Sequence, residues 1–176
     1  MEMSEKKGSV DEGFRVARLE PFRVAAARGF GEHPEGAAWD ALLAGMRRRG
    51  LPVAAGRFFG FNNPNPTPAT PNYGYEQWVA LEGEAGAAAE RATGEDEGVE
   101  FKDFPGGLYA VVEHRGSPEN LPGTWGRLAL AVERSRYRRS PRQWLEEVRT
   151  PELLSGPNEP AWNYFVFDLY VAVDEA

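Results

Sequence analysis

The sequence contains no cysteine, which excludes disulfides, thiolate nucleophiles and thiolate-bound zinc. Histidine is almost as scarce. His33 and His114 are the only two, and they stand in no ligand spacing, so both read as polar caps at element ends and no metal or cofactor is expected. No apolar run approaches the roughly 18 residues of a membrane span, and Met1–Glu12 lacks an apolar signal core. The opening stretch therefore reads as a tail and the address as cytoplasmic. Positive charge is also short: 20 Lys and Arg face 27 Asp and Glu, a net charge of −7 that argues against a dedicated nucleic-acid binder. The basic runs Arg47–Arg49 and Arg134–Arg142 fall late in or just after predicted helices, where they complement the helix dipole. No G-x-S-x-G elbow, phosphate loop or dinucleotide fingerprint occurs.

What is present is apolar material for one sizeable core and an internal echo. Arg28-Gly29, Pro34-Glu35, Trp39 and Leu42 recur as Arg115-Gly116, Pro118-Glu119, Trp125 and Leu128. The echo divides the chain into a first repeat over 13–81, an acidic Ala/Gly/Glu-rich linker over 82–98 and a second repeat over 99–173. Each repeat reads as strand-helix-strand-strand. Phe14–Leu19 and Phe22–Arg28 are β-type runs parted by Glu20-Pro21. Over Pro34–Arg49, Trp39, Leu42, Leu43 and Met46 form one apolar helix face, stopped by Gly50. Strands follow over Ala54–Phe61 and Gly74–Leu81.

In the second half, Val99–Phe104 and Leu108–His114 read as strands around Pro105-Gly106-Gly107. Ser117-Pro118 opens a helix carrying Leu121, Trp125, Leu128, Ala129 and Val132 on one side. Ser140-Pro141 opens a shorter helical piece with Trp144, Leu145 and Val148. Trp162–Val173 is the most strand-like segment of all. The architecture expected is α+β: two pseudo-twofold-related units forming an antiparallel sheet, with helices on one face and a ligand cleft on the other.

Alternation then selects candidate residues. Phe167, Leu169, Val171 and Val173 form a core face, which sends Asp168 and Tyr170 the other way. In Gly74–Leu81, Tyr75, Val79 and Leu81 share a face interrupted by Gln77, and Glu76 and Trp78 share its opposite. A carboxylate two residues from an aromatic suits recognition of a cation through charge pairing and cation–π attraction. The asparagine- and proline-rich stretch Asn62–Pro71 forbids regular structure and reads as a connector or a lid, with Tyr73 reaching the ligand.

Tyr73–Val79, Gly106–Gly116 and Phe167–Val171, in this order, resemble the GyrI-like, or AraC-type effector-binding, domain family over Phe14–Val173. The resemblance implies two such units around a central cleft for small lipophilic, often cationic, molecules. Some stand-alone members of that kind resemble hydrolases of strained electrophilic toxins, and others inhibit a topoisomerase. The family's cleft glutamate on the last strand is matched here by Asp168. The residues before Phe14 are too few for a helix-turn-helix, so no direct DNA partner is expected. The reading is thus a stand-alone binding domain. Asp168 and Glu76 are its polar anchors and Trp78, Tyr75, Tyr109, Tyr170 and Tyr73 its walls. The enzymatic alternative uses Asp168 or Glu76 as general base, and a third reading makes the acidic linker a protein-binding surface.

Overall fold

A computed structural model describes residues 13–51, 56–81, 83, 86, 98–151 and 165–176. The elements in chain order are β1 (Arg15–Leu19), β2 (Phe22–Gly31), α1 (Pro34–Arg48), β3 (Phe58–Asn62), β4 (Tyr73–Leu81) and β5 (Glu100–Phe104). They continue with β6 (Gly107–Arg115), α2 (Leu121–Glu133), β7 (Tyr137–Arg139), β8 (Leu145–Val148) and β9 (Val166–Glu175). The fold is α+β, and every strand pairing described within a unit is antiparallel. The expected 82–98 linker lies almost wholly outside the described residues, as do 162–164 of the expected last strand.

Two compact units result, and their boundary differs from that of the sequence repeats. A central unit comprises Pro21–Pro105, and a terminal unit joins the residues up to Glu20 with Gly106–Ala176. The strands of the central unit run β5-β2-β4-β3, and those of the terminal unit run β1-β6-β9-β8 with β7 also on β9. Each unit has therefore received its edge strand from the other stretch of chain. β1 precedes β2 but pairs with β6, and β5 precedes β6 but pairs with β2. The connecting dipeptides explain why neither neighbouring pair closes as a hairpin. Two-residue hairpin turns need positive φ at their first central position, which Pro105 cannot adopt and Glu20 adopts only at a cost.

In the central unit, α1 packs on β2 and β4 through Ala38, Trp39, Leu42 and Met46, all buried. Trp39 meets Phe58 with ring centroids 4.8 Å apart. Gly50, at φ 65°, ends the helix, its N–H donating to Arg47 O while Leu51 N–H donates to Met46 O. His33 caps nothing with its side chain, contrary to the sequence expectation. Close approach of helix to sheet depends on Gly29. A Cβ there would collide with the Pro34 carbonyl oxygen and lie 2.9 Å from Ala38 N. Gly29→Ala is accordingly expected to cost ~1–3 kcal/mol, measured by urea unfolding, because backbone must move to make room.

In the terminal unit, Ser117 Oγ accepts from Glu119 N–H and starts a 3₁₀ turn that leads into α2. Leu121, Thr124, Leu128 and Val132 are the buried positions of α2, while Trp125 is half-buried, stacked on Trp144 and donating to Glu146 Oε1 at 3.1 Å. His114 faces this helix, with Nδ1 2.8 Å from Thr124 Oγ1 and Nε2 3.1 Å from Ser117 O. The segment after Ser140-Pro141 is not the expected helical piece. Tyr137–Arg139 and Leu145–Val148 are both strands on β9.

Candidate functional site

Residues paired directly across an antiparallel ladder share a face, so the register assigns every candidate. In the terminal unit His114 contacts α2, and its partner Phe167 shares that side with Leu169, Val171 and Val173. The opposite side, away from α2, carries Asp168, Tyr170 and Ala172 of β9. Across from them stand Tyr109, Val111 and Glu113 of β6, Leu145 and Glu147 of β8, and Arg15 and Ala17 of β1. The alternation of β9 is as the sequence implies.

Glu147 was not anticipated. It stands directly opposite Asp168 across the β8–β9 ladder, 1% exposed. The Tyr170 hydroxyl donates to Glu147 Oε2 at 2.5 Å, and Arg149 Nη1 lies 3.4 Å from Glu147 Oε1. Asp168 is paired with Arg15 Nη2 at 2.9 Å and, more loosely, with Arg149 Nη1 at 3.8 Å. Burial pushes the Asp168 carboxyl above its ordinary range. The charges of Arg15 and Arg149 oppose that rise and Glu147 adds to it. Tyr109 meets Tyr170 edge to face at 5.8 Å and donates to Gln143 O at 3.3 Å. Burial raises the Tyr109 phenol to about 12 despite the nearby Arg142, so at neutral pH it is a donor and not a base. Two buried carboxylates and two tyrosines thus share one face, with the exposed Glu113 at its side.

In the central unit, α1 contacts the side bearing Phe58, and its partner Val79 places Gln77 and Tyr75 there too. Gln77 Nε2 donates to Phe59 O, which settles why a polar residue interrupts that apolar face. Tyr75 covers Gly60, where any Cβ would strike its ring, and the Tyr73 hydroxyl donates to Glu35 of α1. Tyr73 and Tyr75 therefore lie on the helix side, apart from Glu76 and Trp78.

The side of this unit opposite α1 carries Glu76, Trp78, Phe59, Phe61, Phe22, Phe104 and Lys102. Trp78 meets Phe61 at 4.8 Å and Phe104 at 5.9 Å, and Phe22 meets Phe59 at 5.5 Å. Glu76 is fully engaged. Oε1 receives Asn63 Nδ2 at 2.9 Å and Arg28 Nη2 at 2.8 Å, while Oε2 receives Trp78 Nε1 at 2.9 Å and Lys102 Nζ at 2.6 Å. Burial would raise the Glu76 carboxyl, but the bonds from Lys102, Trp78 and Asn63 outweigh it and hold it below the usual value. The two candidate acids thus lie in different units and in opposite electrostatic states. From the Asn62–Pro71 connector, Asn63 is hydrogen-bonded to the candidate Glu76. Among the described residues, no group of three or more His, Asp or Glu side chains is placed to hold a metal ion, and no helix is long and apolar enough to cross a membrane.

A family model described as integron-associated effector binding protein matches residues 15–173. Among solved structures, the chain is similar to EcmrR in its complex with DNA, at 13% identity and a TM-score of 0.64 over 93% of this chain. It spans only 57% of that longer chain. It is also similar to a protein from Listeria innocua described as a hydrolase, at 13% identity and TM-score 0.61, covering 92% of this chain and 91% of the other. An integron cassette protein from Vibrio cholerae matches at 9% identity and TM-score 0.53, covering 92% and 95%. At such identities these likenesses establish the fold. No curated protein sequence matches the chain.

Proposed function

The chain belongs to the integron-associated effector-binding protein family, and from that premise we propose that it captures a small lipophilic cation on the face of its terminal unit opposite α2. Asp168 and Glu147 are the anchors, and Tyr170 and Tyr109 are the aromatic walls. The observation that carries this reading is the pair of buried carboxylates facing each other across β8 and β9. Their arginine partners have side chains 37% and 48% exposed, so those guanidiniums can turn to water when a ligand charge arrives. A hydrophobic cation then exchanges little hydration for two carboxylates and two ring faces, whereas a neutral molecule of the same shape gains only the rings.

The test is calorimetric titration with tetraphenylphosphonium and with neutral triphenylphosphine oxide. The cation is expected to bind at least about tenfold tighter, a difference of ~1.4 kcal/mol. Equal affinity, or none, refutes the reading. The raised Asp168 carboxyl adds a sign: affinity for this permanent cation should fall as pH drops from neutral into the acid range, because protonation removes one anchor.

A second reading keeps the same face and makes Asp168 a general base. It is favoured by the same upward shift, which brings a carboxylate nearer to neutral pH, and by the similar Listeria innocua protein described as a hydrolase. Product formation from a strained three-membered-ring electrophile, lost in Asp168→Asn, would favour it over simple capture.

A further inference from the structure

We propose that the central unit contains a second cation site whose occupant is the chain's own Lys102, so that exogenous cations are refused there. The elements of a cation site are all present within this one unit. Glu76 supplies a carboxylate whose side chain is 2% exposed, and Trp78 supplies a ring face. Phe61 and Phe104 wall that ring. The Lys102 ammonium lies 2.6 Å from Glu76 Oε2 and 5.2 Å from the Trp78 ring centroid, within cation–π range.

The two oxygens of Glu76 divide their work. Oε1 is turned to Asn63 and to Arg28, whose side chain is 63% exposed, and Oε2 is turned to Trp78 and Lys102. Removing Lys102 therefore empties the aromatic side of the carboxylate and leaves the Arg28 side satisfied. Access follows the lysine itself. Its side chain is 26% exposed and descends from β5, which pairs with β2 on one side, so its track connects solvent to the buried carboxylate. A tethered ammonium competes at very high effective concentration, which explains how an acid–aromatic pocket can be closed to free cations without a steric plug.

The atoms that Lys102→Ala deletes are those of an n-propylammonium ion, which makes that ion the probe. Titrating n-propylammonium into Lys102→Ala at neutral pH is expected to raise Tm saturably, by about 3–6 °C. Wild type should respond less than the variant, n-propanol should not separate the two, and adding Glu76→Gln should bring the variant's rise back to the wild-type level. Equal responses to ammonium and alcohol, a response in wild type equal to that of the variant, or no response at all would overturn the proposal. Lys102→Thr provides an opening shorter by one carbon, for which ethylammonium is the probe, with a better strand former should the alanine variant fold poorly. Asp168 and Glu147 are untouched throughout, so any cation binding in the terminal unit appears equally in wild type and cancels from the comparison.

Discussion

Glu147→Gln is expected to weaken tetraphenylphosphonium binding by ~2–5 kcal/mol, the loss that follows when one partner of a desolvated charge pair is removed. The size of the effect rests on where Glu147 sits. It is 1% exposed, and its second oxygen holds the Tyr170 hydroxyl, so it cannot swing to solvent to recover hydration. Asp168 is less deeply buried, at 5% exposed, and the Arg15 guanidinium 2.9 Å away already answers part of its charge. Asp168→Asn should therefore cost less, ~1–3 kcal/mol. Affinity for the neutral phosphine oxide should change little in either variant, since glutamine and asparagine keep the volume and the contacts with Tyr170 and Tyr109. Calorimetry on both variants with both ligands measures all four quantities. A uniform loss for charged and neutral ligands would mean that the carboxylates shape the face without reading charge. If the face turns substrate over instead, Asp168→Asn should leave affinity intact and lower the rate by ~10²-fold or more.

That Glu147 stands opposite the acid singled out from the sequence, and was not itself singled out, shows where pattern reading stops. β9 was legible because ten residues of alternation with an apolar face admit one interpretation. The α1 face was legible for the same reason at helical period. β8 has four residues, and Trp144, Leu145 and Val148 fit a helical stripe as well as Leu145 and Glu147 fit a strand face. Only pairing with β9 decides between them, and pairing is a long-range property that four residues do not encode. The exchange of β1 and β5 was hidden similarly. Each strand looks like the neighbour of the next, and the sole local hint is a proline where a hairpin needs positive φ. Tyr75 was separable from Glu76 and Trp78 by alternation alone, and its place on the α1 side agrees with that parity. Nothing in the sequence revealed that Glu76 would meet Lys102, because the two lie 26 positions apart on strands joined only through β2.

The contrast between the two sequence-selected acids yields the second large effect, one of opposite signs in stability. Glu76 titrates lower in the folded protein than in the unfolded chain. Its ionised form therefore contributes stability that is fully present above the unfolded value of ~4.3 and is lost as pH falls through the folded one. Asp168 titrates higher in the folded protein. Its ionised form costs stability at neutral pH, and that cost disappears on acidification, being gone once pH lies below the unfolded value of ~3.9. Glu76→Gln is accordingly expected to destabilise at pH 7 by about 3 kcal/mol, the lower end for breaking a buried pair, because Lys102 and Arg28 retain access to water. Asp168→Asn is expected to stabilise by about 0.5–2 kcal/mol, because it removes a charge that burial disfavours. Its half-exposed partners Arg15 and Arg149 lose little when released. Urea unfolding of both variants and wild type at pH 7 and pH 4 measures the signs and their convergence toward acid. Should Asp168→Asn destabilise at pH 7 as much as Glu76→Gln, Asp168 is a structural ion-pair member. The terminal face would then lose the feature that marks it as a site waiting for charge.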